Sequence, residues 1–176
     1  MRIISIAIVA CGILSQAWAT TLQQLSMDDM IRKSTNIVRA KVVDARTAFR
    51  GQDIYTYYQL QVLEGWNNSA QQVQVAVPGG SSKGIRQMVP GAPSQNVGDE
   101  YVIFLWTSRS GLTQVIGLSQ GLFSVKSNAA GDAILVRPAA IELMLDKSGK
   151  VVSDQPVSLK MNDVRSQIQN TLGAGK

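Results

Sequence analysis

Histidine is absent from the chain, and cysteine occurs once, at Cys11. The first absence removes the commonest general base and the commonest metal ligand. The second weighs more because Cys11 lies in a segment expected to be cleaved. A mature chain without Cys or His has no thiol nucleophile, no Ser-His-Asp triad and no conventional zinc site. It also has no disulfides, so packing must supply its stability. Charge is sparse: 16% of residues are charged against 45% hydrophobic, a balance that buries a core and is not that of a disordered chain. Lys and Arg number 17 against 12 Asp and Glu. They form no block of five or six, so they read as a solvated basic surface and not as a nucleic-acid footprint. At 176 residues the chain has the size of one domain.

The first nineteen residues read as a secretory leader. Met1-Arg2 gives a positive start, residues 3–14 are almost wholly apolar, and Ala17-Trp18-Ala19 places small residues where a signal peptidase reads them. The apolar run is too short to stay in a bilayer as a helix. Cleavage is expected after Ala19, giving a signal peptide over 1–19, a single domain over 20–176 and a periplasmic or secreted protein. Losing Arg2 leaves 16 basic against 12 acidic side chains, a formal charge of +4. Ile8-Val9-Ala10-Cys11 also resembles a lipobox, which would make Cys11 a lipidated first residue; that is the less favoured alternative, and finding a mature terminus at Thr20 would exclude it.

After the leader, Ser26 can cap a helix that carries Asp28 and Asp29 in its first turn and Met27, Met30 and Ile31 on one face. Alternation predicts strands over 37–46, 54–63 and 72–77, the first two joined as a hairpin through Arg50-Gly51-Gln52-Asp53. Residues 101–106 are apolar on both faces, as a central strand should be, and Trp106 is expected in the core with them. Further strands are expected over 112–118, 121–125 and, last, 133–137. Met161, Val164, Ile168 and Leu172 repeat at helical spacing and end at Gly173. This C-terminal helix is expected to dock on the mouth of a barrel; use as a partner-binding helix is the alternative.

Between these strands lies a loop over 78–98 that holds three of the five prolines and five glycines. Loops longer than about 15 residues are uncommon in compact domains and usually have a function or no fixed structure. Its Gly79-Gly80-Ser81-Ser82-Lys83-Gly84 stretch lacks the spacing of a phosphate-binding loop. A Ser-Lys dyad there would need a buried lysine of lowered pKa, which a Gly-Ser loop does not offer. Asp99 and Glu100 are adjacent, so on a strand they face opposite sides and make no catalytic pair. No catalytic, cofactor or metal residue is therefore expected. The expected partner-binding residues are Lys83 and Arg86 in the loop, with Tyr55 and Tyr57 on the wet face of the long hairpin, where an aromatic row suggests a contact surface.

Several stretches carry a resemblance: Ser26 with Met30-Ile31, Ile37-Val38 with Ala40 and Val42, Leu60 with Val62-Leu63-Glu64-Gly65, Val89-Pro90-Gly91-Ala92-Pro93, Val97-Gly98-Asp99-Glu100, and Val115-Ile116-Gly117-Leu118 with Gln120-Gly121. They resemble a family of uncharacterised bacterial exported proteins across most of the mature chain, which implies export and no particular activity. The order of elements is similar to the netrin-like module of metalloproteinase inhibitors, an OB-type barrel. Those inhibitors use an N-terminal cysteine and disulfides, so their mechanism does not transfer to a chain that lacks both. The expectation is a mainly β, OB-like, partly closed barrel with an N-terminal and a C-terminal helix. Its expected function is non-catalytic binding of an envelope or extracellular protein or glycan, without nucleic acid and without a transmembrane segment in the mature chain. Inhibition of a co-secreted protease is the alternative.

Overall fold

The computed structural model describes residues 21–67 and 70–174. The expected leader, its Ala17-Trp18-Ala19 site and Cys11 lie outside them. In chain order the elements are β1 (Thr21–Gln23), α1 (Met27–Lys33), β2 (Asn36–Arg50), β3 (Asp53–Asn67), β4 (Gln72–Pro78), β5 (Gly80–Ser82), β6 (Ile85–Gln87), β7 (Glu100–Thr107) and β8 (Thr113–Val115). There follow β9 (Leu122–Ser127), β10 (Ala133–Arg137), β11 (Leu143–Leu145), β12 (Val151–Val152), β13 (Val157–Lys160) and α2 (Met161–Gly173). The protein is mainly β.

The main sheet runs β13-β10-β9-β7-β2-β3-β4, with β8 also on β7. β7 pairs with β2 along residues 100–105 on one edge, and its other edge is divided. Residues 101–103 pair with β9, and residues 105–107 pair with β8. The division falls at Phe104. Its N–H donates to the Gly121 carbonyl and its carbonyl accepts from the Ile116 N–H, both at 2.9 Å. Gly121 permits this approach, because a Cβ there would stand 3.0 Å from the backbone oxygens of both Phe104 and Ile116.

The two faces of β7 feed two cores. Tyr101, Ile103 and Leu105 pack with Val38, Ala40, Val42, Leu60, Val75 and Val115. Val102 and Phe104 pack with Ile37, Phe123 and Leu135, and with Met30 and Ile31 of α1 and Val164 and Ile168 of α2. Burial on both sides explains the unbroken apolar run 101–105, each large side chain contributing about 1.5–3 kcal/mol. α1 starts on a capping box: the Asp29 N–H donates to Ser26 Oγ (3.1 Å) and the Ser26 N–H donates to the Asp29 carboxylate (3.2 Å).

Several expectations are corrected. The 78–98 stretch is not one irregular loop: it contains the β5–β6 hairpin, turned by Lys83 and Gly84 at φ +50° and +77°. The strand expected over 112–118 stops at Val115, because Gly117 and Leu118 both take φ +61°. The strand at 133–137 is not the last, since β11, β12 and β13 follow. α2 packs with α1 on the second core. Trp106 is 45% exposed.

Among the described residues no sheet closes on itself. β4 and β8 lie side by side, with Cα atoms within 8 Å, yet no ladder joins them. No helix among the described residues is long and apolar enough to cross a membrane.

Candidate binding surface

The unjoined seam between β4 and β8 opens as a groove of about 270 Å³. Its floor reaches Val77 and Val115 of the first core, and its rim includes Ala76, Pro78, Trp106, Gln114 and Leu118. Strand alternation fixes which side chains look outward. Leu105 and Val115 are inside, so Trp106 and its cross-strand partner Gln114 are outside. Val75 and Val77 point into the first core, so Ala76, itself buried, points to the opposite face, and with it the directly paired Tyr57 of β3 and Arg46 of β2. Tyr55 pairs with Pro78 and Ala48 on the same face.

Trp106 thus stands on one bank of the groove, while Tyr57 and Tyr55 lie one strand beyond the other bank, paired with Ala76 and Pro78. The two tyrosine rings are 6.3 Å apart with a 39° tilt. The Arg46 guanidinium lies 6.0 Å above the Tyr57 ring, an arrangement in which the ring's negative face attracts the cation. At one end Arg50, from the tip of the β2–β3 hairpin, donates through Nη2 to Ser110 Oγ in the β7–β8 turn at 3.4 Å. Arg46, Arg50 and Arg109 are all exposed. Among the described residues the ion pairs join Arg39–Glu100, Arg137–Asp154, Lys147–Asp29 and Arg165–Glu64, and none holds these three arginines.

Lys83 and Arg86 stand on the β5–β6 hairpin, also exposed. That hairpin lies against the opposite face of the β2–β3 ribbon. Thr47 Oγ1 donates to the Ser81 carbonyl, Thr56 Oγ1 donates to the Gly79 carbonyl at 2.9 Å, and a Cβ on Gly80 would stand 2.7 Å from both threonines. Of the four residues expected to bind a partner, the fold therefore brings Tyr55 and Tyr57 together and sets Lys83 and Arg86 on the other side. The outward turn of Trp106 escapes a reading that takes 101–106 as uniformly buried, although the alternation of 101, 103 and 105 against 102, 104 and 106 contains it.

A second recess, of about 470 Å³, lies between residues 91–94 and 138–142 and reaches Ser124 and Lys126 of β9. Gly91, at φ +74°, leaves the space that the Glu142 side chain fills. Nearby, the Tyr101 hydroxyl accepts from the Asn96 N–H (3.1 Å) and lies 3.4 Å from the Asp99 carboxylate; burial pushes its pKa up. Asp99 serves the turn, since its N–H donates to the Asn96 carbonyl and its carboxylate accepts from Asn96 Nδ2. These groups are occupied in holding the 91–99 segment across the first core.

Comparison with protein-family models, with curated proteins and with solved structures finds no match.

Proposed function

We propose that the chain is an exported, non-catalytic binding or accessory protein whose working surface is the outer face of an OB-like, partly closed barrel. The barrel reading is supported by strand order. β2, β3, β4, β8 and β7 would complete a five-stranded ring if β4 joined β8, and β4 already runs beside β8. Rings of this kind bind chains across one sheet face and its loops. Export, to the periplasm or the medium, rests on the leader pattern of residues 1–19, and kinship with bacterial exported proteins rests on the motifs described above. The non-catalytic part rests on the lack of His and of a mature Cys.

One observation carries the binding reading: Trp106, 45% exposed, lines an open groove whose lining residues Ala76 and Pro78 pair with Tyr57 and Tyr55 on the next strand. Aromatic side chains gathered on an accessible face are the compositional mark of a contact surface. The partner is a protein or glycan of the envelope or the medium.

The test is affinity capture from envelope extract and culture medium, with residues 20–176 as bait. A Trp106→Ala/Tyr57→Ala double variant and a deletion of 81–88 run beside it. A partner held by the wild type and released by the double variant supports the aromatic face. A partner held equally by both overturns it, and one lost only on deleting 81–88 returns the role to the hairpin with Lys83 and Arg86. Stoichiometric retention and block of a co-secreted protease would put inhibition first.

A further inference from the structure

We infer that the ligand of this face is an acidic polysaccharide, a sugar chain bearing carboxylate or sulfate groups. The inference rests on the binding-face reading and adds the chemistry of the occupant.

The aromatic groups supply the first half. A pyranose ring presents a face of slightly positive C–H groups, which the negative face of an aromatic ring attracts, while its hydroxyls point outward to hydrogen-bonding groups. Trp106 offers such a face on the rim of the groove, and Tyr57, with Arg46 over its ring, stands beside the lining residue Ala76. Gln114, on the rim beside Trp106, has an amide that can both donate and accept. The groove is open along the seam, so it suits a chain that runs through and not a small molecule that is engulfed.

The charges supply the second half. Arg46 sits over Tyr57, Arg50 crosses to Ser110 at the end of the groove, and Arg109 neighbours Ser110. Among the described residues no carboxylate lies within ion-pair reach of any of them, whereas Arg39, Arg137 and Arg165 are each paired. Unpaired, solvated guanidinium groups around an aromatic surface match an anion placed beside a stacked ring, because their forked N–H groups fit carboxylate and sulfate oxygens. A neutral glycan or an apolar peptide would leave these charges unused. Single-stranded nucleic acid shares the chemistry of stacking and anions. A net charge of only +4 on the mature chain, with no basic run, and the exported location favour the polysaccharide.

Residues 20–176 are titrated with polygalacturonate, neutral dextran and a single-stranded oligothymidylate, with binding read by calorimetry at several salt concentrations. Polygalacturonate is expected to bind, dextran and the oligonucleotide to bind at least tenfold more weakly, and the affinity to fall with added salt. Arg46→Ala/Arg50→Ala should weaken polygalacturonate by about tenfold or more and flatten the salt dependence. Trp106→Ala should weaken it while keeping that dependence. All the replaced side chains are exposed, and thermal melts verify that the variants stay folded. Equal binding of dextran overturns the charge match, and preference for the oligonucleotide overturns the sugar. Failure of polygalacturonate to bind overturns the inference alone if the capture experiment still finds a partner that Trp106→Ala/Tyr57→Ala releases. If that partner too is indifferent to the double variant, the binding face itself is overturned.

Discussion

Gln120 ties the start of the described chain to its centre. It is 3% exposed; its Oε1 accepts from the Leu25 N–H at 2.8 Å and its Nε2 donates to the Gln23 carbonyl at 3.0 Å. Gln120→Ala leaves two backbone groups without a partner, and should lower stability by about 1–3 kcal/mol in urea titration. Two neighbours on β7 should differ more sharply. Phe104 is fully buried edge-on to Phe123, with ring centres 5.9 Å apart, so Phe104→Ala should cost about 3–5 kcal/mol. Trp106→Ala should change stability by about 0.5 kcal/mol or less, its loss being felt in binding. Equal effects from the two would mean that Trp106 is a core residue, as its place in an apolar run suggests.

At the scale of elements, what was legible in the sequence is what local chemistry dictates. Ser26 with Asp29 writes a helix start, the spacing of Met161, Val164 and Ile168 writes a helix face, and alternation in 54–62 writes a strand; each appears. What was hidden depends on contacts distant in sequence. β1 exists because it pairs in parallel with β11, residue 21 against residue 143, and no pattern within three residues announces that. The β5–β6 hairpin was hidden because its turn uses Lys83 in the left-handed region, where Asn or Gly is usual. Lys83→Asn should relieve that turn and stabilise it by a few tenths to about 1 kcal/mol, seen as slower amide exchange in the hairpin. The proposed binding surface was half legible. Tyr55 and Tyr57 were marked by the wet phase of β3, but the groove that Trp106 lines needs β4 to be carried round beside β8.

At the scale of the whole molecule, stability is divided between two cores that share β7 and is tuned by a few depressed carboxylates. Hydrogen bonds from Ser26, with Lys147 beside it, pull the Asp29 pKa from 3.8 to about 2. The Arg165 fork lowers Glu64, and Ser148 and Lys150 lower Asp146. Burial raises Asp154, but hydrogen bonds from Arg137 and from the Ala140 N–H outweigh it and leave the pKa below its usual value. Groups lowered in the folded state stabilise it above their unfolded pKa and lose that contribution as pH falls through the folded one. With no histidine to titrate, the urea midpoint should be flat from about pH 7 to 5 and decline from about pH 4 to 2. A decline between pH 7 and 5 would contradict this account.

The proposed ligand lies over the β4–β8 seam. Amide hydrogen exchange on residues 20–176, free and saturated with polygalacturonate, locates it. New protection is expected in residues 55–57, 76–78 and 113–118, with α1 and α2 unchanged. Protection centred on the β5–β6 hairpin or on the helices, with the seam unaffected, would contradict it.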